Sequence, residues 1–371
     1  MRRYQSASEL TTWPERHRED DFWLRPTTLS FLLPSTQGFI TESIELTHAA
    51  TGRRVLLTAQ SFIFSATRQA RQDAKGPTSR WNFRRRLLDP ISSKVLCIGQ
   101  LLTSGNYATE GLDALSAGEA LGLLDSVAAA IMANDGGYRA VLIKDITKQG
   151  DPLSQGLIQN GFTPLPVDPV MLMELSAFTT FEDYLSALSS KYRVRYRRAR
   201  SKLEGLHRRY LREDEVREQI DTLYGLYAEV TRGADFNLTP LQPDYFAWLA
   251  GVANFQGYFN ATGELVGFTS GIVNGSVYQA HYLGLQETYK YSHHLYHNML
   301  YDLLIDALSA GCTTLDYGRT APEIKSSIGA VAHDYSSMLK VNSGPLNRLV
   351  PRFIPAVFAA KDWQPRNPFR D

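Results

Sequence analysis

Twice along this chain, two strand-like runs joined by a tight turn give way to a strand, a long helix-period segment and another strand. In the first half, FITESIELTHA and RRVLLTAQSFIFSA flank Thr51-Gly52. A strand at Lys94–Leu102 follows, then a helical segment ending at Asp135-Gly136-Gly137, a strand at Ala140–Ile146 and a short helix before Gly161. In the second half, helical segments around Asp214–Thr231 and Pro243–Ala250 lead into FQGYF, ELVGFTSGIV and VYQAHYLGL, with turns at Asn260–Gly263 and Asn274-Gly275. A helix through His293–Ala310, stopped by Gly311, then the strand TTLDYG and a short helix over Pro322–Ile328 complete it. Tight hairpins make antiparallel pairs, whereas a strand–helix–strand crossover makes a parallel one. Each half therefore predicts a mixed, mainly antiparallel sheet flanked by helices, an α/β (α+β) fold in two divergent copies. A length of 371 residues exceeds the roughly 250–300 at which one core stops growing. The expected division is 1–175 and 211–371, joined by a connecting helix over 176–210.

That connection carries the densest charge. Thr179 with Glu182 forms a candidate capping box, and Leu185, Leu188, Tyr192, Tyr196, Ala199 and Leu203 recur at helical steps as one apolar stripe. Lys191, Arg193, Arg195, Arg197, Arg198, Arg200 and Lys202 fall off the stripe, with no acidic residue among them before Glu204. Such a face repels itself unless an anion meets it, so Arg193, Arg195, Arg197 and Arg198 are candidate contacts for a polyanionic ligand. With 39 basic and 38 acidic residues the net charge is only +1, and attraction to a polyanion must come from this local patch.

Other classes are excluded or left open by composition and motif. A hydrophobic fraction of 43% with 21% charged residues excludes disordered and fibrous chains. Cys97 and Cys312 lie in apolar runs, the setting of buried, sluggish thiols in a reducing compartment. No apolar h-region follows the first two arginines and no run reaches a transmembrane length, so a cytoplasmic location is expected. The run LVPRFIPAVFAA either touches a membrane surface or packs on its own domain. RQARQDAKGPTSR should project into solvent or close over a site. There is no Walker A and no G-x-G-x-x-G, and Ser270 in GFTSG falls one place late for a nucleophile elbow. His293 and His297 are spaced like metal ligands, but His294 stands where zincins need Glu, so no metal site is assigned.

The segment LDYGRTAPEIKSSIGA, Leu315–Ala330, resembles the FemAB-like branch of the GNAT acyltransferase superfamily, the Fem-type peptidoglycan transferases. The matching positions are Asp316, Tyr317, Gly318, Arg319, Lys325 and Gly329. The likeness extends more weakly to the YLGL strand, to the Ser189-Ser190-Lys191-x-Arg193 start of the basic helix and to the tandem plan. It implies tandem GNAT-like domains, the second catalytic and the first degenerate. It further implies transfer of an acyl group from acyl-CoA, or an aminoacyl group from aminoacyl-tRNA, to an amine on a small molecule or cell-envelope precursor, with no tightly bound cofactor.

Read physically, Arg319 and Lys325 follow a strand end and precede a helix start, where two cations form either an anion cradle stabilising an acyl-transfer oxyanion or a surface ion-pair set. Tyr317 and Arg319 are the substrate-binding candidates beside them. Lys325, Asp316, Tyr282 and His281 are the catalytic candidates, with strand alternation letting only one of His281 and Tyr282 face the cleft. GNAT enzymes that bind CoA place a glycine-rich turn before the long helix. Here that segment is Gln286–Ser292, without glycine, which disfavours acetyl-CoA there. In the first half, Gly105–Gly111 offers glycines that either bind a phosphate or simply turn. The rival reading is a non-catalytic module whose basic helix binds a glycan, a lipid headgroup or RNA.

Overall fold

The computed structural model describes residues 1–14, 21–34, 37–49, 51–65, 92–232, 241–357 and 362–370. The polar RQARQDAKGPTSR segment lies outside them. Chain contacts separate two compact units, one built on Met1–Val167 and Asp334–Lys361, the other on Asp168–Ala234, Leu241–His333 and Asp362–Asp371.

The first unit holds β1 (Arg2–Tyr4), α1 (Pro26–Leu32), β2 (Phe39–Thr47), β3 (Arg54–Ser65), β4 (Ser92–Ile98), β5 (Thr109–Glu110), α2 (Ala117–Asn134), β6 (Tyr138–Lys148), α3 (Pro152–Gln159) and β7 (Thr163–Leu165). Its sheet runs β1-β2-β3-β4-β6, then a late strand β15 (Tyr335–Val341), then β7, with β5 beside β3. Strands β4 and β6 are parallel, and the crossover between them is α2, capped by Ser116 with Glu119 reaching back to the Ser116 amide at 2.8 Å. Leu57, Leu96, Ile98, Leu124, Val127, Ile131, Val141 and Ile143 pack together as its core.

The second unit holds β8 (Val170–Glu174), α4 (Phe181–Ala187), α5 (Ser190–Ser201), β9 (His207–Leu211), α6 (Glu213–Glu218), α7 (Ile220–Thr231), α8 (Pro243–Leu249), β10 (Asn254–Phe259), β11 (Leu265–Asn274), β12 (Val277–Leu285), α9 (Glu287–Ser292), α10 (Leu295–Ser309), β13 (Thr314–Asp316), α11 (Pro322–Ser326) and β14 (Val331–His333). Its order is β14-β8-β13-β12-β11-β10-β9, with β12 and β13 parallel across α10 and the other pairs antiparallel. Both copies are thus mixed, mainly antiparallel sheets, the expected tandem GNAT-like plan.

The domain boundaries differ from the sequence expectation. Strand β8, assigned to the first domain, pairs with β13 and β14 in the second. Strand β15 returns to the first unit and pairs with β6 and β7, followed by α12 (Gly344–Val357). A strand joins whichever sheet satisfies its N–H and C=O groups, and a three-to-seven-residue apolar run does not announce which that is. The connecting helix belongs wholly to the second unit and is two helices. Leu188 is extended (ψ 144°) and bridges Phe369, and the Ser189 amide donates to the Pro368 carbonyl at 2.9 Å. The cap of α4 is Thr180 with Asp183, one residue later than Thr179–Glu182. The apolar stripe holds, with Leu188, Tyr192 and Ala199 buried.

Candidate active site

The second unit opens where its two parallel strands part. β12 and β13 register over only three pairs, Val277 with Thr314, Tyr278 with Leu315 and Gln279 with Asp316, while β12 runs on to Leu285. Beyond Gln279, β12 is bulged against β11: the register jumps between Thr269 and Gly271. Ser270 Oγ fills the irregularity, donating to the Tyr282 carbonyl at 2.8 Å and accepting from the Tyr282 amide at 3.0 Å.

The bulge overturns the alternation expected of His281 and Tyr282. Both rings contact Tyr245 of α8, and their own centroids lie 4.3 Å apart. An extra residue in one strand ends the strict up-down sequence, so neighbours turn toward the same element. His281 Nε2 lies 2.5 Å from Tyr245 Oη. Burial lowers the imidazole pKa to about 3, so the ring is neutral, an acceptor or donor of hydrogen bonds but a poor reservoir for a proton. Burial raises the Tyr245 and Tyr282 phenols well above their ordinary value, and both stay protonated at neutral pH. Helix α7 is brought onto this strand by Gly284, where a Cβ would lie 2.5 Å from the Tyr227 amide nitrogen.

On the facing strand, Asp316 Oδ1 accepts from the Gly318 amide at 2.7 Å, and Gly318 turns with φ +68°. Thr320 and Ala321 are also left-handed, φ 69° and 49°, at a cost of about 1–2 kcal/mol each for residues with a Cβ. Lys325 holds this loop. Its ammonium is buried and donates to the carbonyl oxygens of Tyr317 at 2.7 Å, Gly318 at 3.3 Å and Arg319 at 2.5 Å. Burial pulls its pKa down to about 7, with Asp316 and Asp168 pushing the other way. The sequence left Lys325 open between an anion cradle and a surface ion-pair set; its ammonium points at three backbone oxygens. Arg319 Nη1 likewise donates to the Asp168 carbonyl. Tyr317, the other binding candidate, is core: it is 4% exposed and its hydroxyl donates to the Leu300 carbonyl at 2.8 Å.

The cations of α5 divide into two sets. Arg200 points inward to Asp302 at 2.6 Å, a carboxylate shared with Arg208 and with Tyr258 Oη at 2.7 Å. Arg193 folds back onto the Leu188 carbonyl, and Arg195 lies over the Tyr192 ring at 5.3 Å. Lys191, Arg195, Arg197, Arg198 and Lys202 are exposed. The buried network around Asp302 and Asp306 was missed in the sequence, although two carboxylates four apart inside the apolar LYHNMLYDLLIDALS were its signal. Asp306 takes Tyr210 Oη at 2.7 Å and Gln256 Nε2 at 2.6 Å. The histidines go to ring contacts, His293 against Tyr289 and His297 stacked on Tyr301 at 5.3 Å. In place of a glycine-rich turn, residues 287–292 form the short helix α9, and His294 (φ 48°) starts α10.

Residues 190–326 match the family model described as "Acetyltransferase (GNAT) domain". That stretch is similar to a GNAT acyltransferase domain. It spans the basic helix, the bulged strand, the parting pair and the Lys325 loop. No curated protein matches the chain in sequence. Among solved structures, FemX is similar over 94% of this chain and 100% of its own, at 13% identity and a TM-score of 0.56, so the GNAT domain and its partner unit share FemX's fold. L-PGS from Bacillus licheniformis aligns over 84% of this chain and 89% of its own at 13% identity, TM-score 0.46. A GCN5-related N-acetyltransferase from Kribbella flavida aligns over 69% and 84% at 13% identity, TM-score 0.39. The resemblance read from Asp316 to Gly329 agrees with the domain match and with the FemX fold.

The first unit closes the corresponding end of its own sheet. On β6, just past the Ile98–Ile143 pair that ends its register with β4, Lys144 Nζ donates to the Thr103 carbonyl at 2.7 Å and to Asp145 at 2.8 Å, and Asp145 accepts from the Gly105 amide at 3.1 Å. The Gly105–Gly111 segment is therefore tied down by its own unit's side chains.

Proposed function

We propose that the chain is an N-acyltransferase that moves an acyl or aminoacyl group to an amine acceptor at the open end between β12 and β13. The observation that carries this reading is the parting of the parallel pair, where β13 ends and β12 runs on through the His281–Tyr282 bulge with its protonated phenols. Tyr282, held protonated by burial, is assigned the general acid for the leaving group. His281 and Tyr245 orient it through their ring contacts, and Lys325 fixes the loop that follows Asp316 and bears Arg319. The donor is acyl-CoA or aminoacyl-tRNA, and the acceptor an amine on a small molecule or cell-envelope precursor. The α9 helix, without glycine, favours a donor other than acetyl-CoA. The first unit, its strand end filled by Lys144 and Asp145, is assigned no chemistry.

The test offers the purified chain acetyl-CoA, longer acyl-CoAs and charged bulk tRNA with a panel of primary amines, and reads product by mass spectrometry. Acylated amine from any donor, lost in Tyr282→Phe, supports the reading. A second reading, a module that binds a polyanion without chemistry, draws on the exposed cations of α5. Salt-sensitive binding of RNA or acidic glycan with no transfer to any amine would favour it.

A further inference from the structure

The first unit has a surface that acyl transfer does not use. Helix α12 packs on β15 and β7, with Ile354 buried at 7% exposed. Asn347 fastens it: Nδ2 donates to the Gly161 carbonyl at 2.7 Å and Oδ1 accepts from the Val341 amide at 2.8 Å. Around the helix from Ile354, at 100° per residue, come Leu346 and Leu349, which are 58% and 38% exposed. Arg352 and Arg348 follow, both exposed. Across the Asn347–Gly161 bond, α3 adds Ile158, 47% exposed.

The charges on α12 itself have one sign. Neither α12 nor the stretch 152–165 contains an Asp or Glu. Among the described residues, neither Arg348 nor Arg352 has a carboxylate partner. Exposed leucines cost free energy in water, and unpaired arginines beside them repel one another. Lipid acyl boundaries relieve the first and anionic headgroups the second.

We propose that α12, with Ile158 of α3, is an interfacial docking surface for an anionic phospholipid bilayer, lying in the headgroup plane with Leu346 and Leu349 inserted and Arg348 and Arg352 on the phosphates. The surface is independent of the identity of the acyl donor. It gives a use to the LVPRFIPAVFAA run, whose first residues face outward while Ile354 faces the sheet.

The experiment is co-sedimentation of the full chain with vesicles of phosphatidylcholine alone and of an equal mixture with phosphatidylglycerol. Binding is expected to the mixed vesicles and at least tenfold weaker to phosphatidylcholine. Leu346→Ser with Leu349→Ser should lower the partition coefficient at least tenfold, and Arg348→Gln and Arg352→Gln about fivefold each, the factor for one basic residue at an anionic surface. All four positions are exposed, so melting temperatures should hold. Arg197→Gln with Arg198→Gln on α5 separates this surface from the other basic helix and should leave most of the binding. No binding to mixed vesicles, binding that survives the serine pair, or binding abolished by the α5 pair alone would each overturn the proposal. So would self-association in sedimentation equilibrium that is lost in the serine pair, since a second copy would then be the occupant.

Discussion

Replacing Lys325 by Met keeps the length of the side chain and removes its charge, and the consequence should depend on pH. The unfolded lysine holds its proton to about pH 10.4, whereas the folded one gives it up near pH 7. Between those values the unfolded chain binds more protons, so stability rises with pH. By linkage, the wild-type penalty for burying this group is about 4 kcal/mol at pH 7 and about 2 kcal/mol at pH 9. The methionine avoids that penalty but leaves carbonyls without their donor. Gly318 O keeps the Met171 amide at 3.1 Å. Tyr317 O and Arg319 O lose the ammonium, at about 1–3 kcal/mol each. The two effects nearly cancel at pH 7, so Lys325→Met should unfold in urea within about 2 kcal/mol of wild type there and be about 2 kcal/mol worse, relative to wild type, at pH 9. Its transfer activity should fall at both values, because the Tyr317 and Arg319 carbonyls lose the donor that holds the loop before α11. Parallel pH slopes for the two proteins would refute the assignment of a buried, proton-releasing lysine, and full activity would refute its positioning of the loop.

Tyr282→Phe keeps the ring packing against Tyr227 and Tyr245 and should cost roughly 10²–10³ in kcat, with thermal stability nearly unchanged; a melting temperature that falls with activity would make the hydroxyl structural. Asp302→Ala strands Arg200 and Tyr258 Oη and should destabilise the second unit by about 3–5 kcal/mol in urea unfolding; a loss under about 1 kcal/mol would mean the network is solvated. His281 should show no imidazole titration by NMR between pH 5 and 8, because burial holds its pKa near 3. Gln at Arg195, Arg197 and Arg198 should leave the fold intact, these side chains being exposed. The triple change should weaken any RNA affinity and flatten its salt dependence by about 2–3 units of log–log slope; an unchanged slope would remove α5 as the contact.

The repeated hairpin-then-crossover order, the apolar stripe of the basic helix and the cluster from Asp316 to Lys325 were legible in the residues because each is local. Periodicity, turn chemistry and spacing need no knowledge of a distant partner. Partner choice was not legible. Strands β8 and β15 change sheets because backbone pairing, not composition, decides where a short strand goes. Leu188 breaks the basic helix because Phe369, far along the chain, bridges to it. His281 and Tyr282 share a side because Ser270, on another strand, fills a bulge. Lys325 faces three carbonyls because the loop it follows folds back over it. The sequence by itself determined two α/β sheets, their crossovers and the residues that crowd one strand end. Tertiary structure alone decided which of those side chains gather around Tyr245 and which are spent on the backbone, since contacts across tens or hundreds of residues leave no period in the chain.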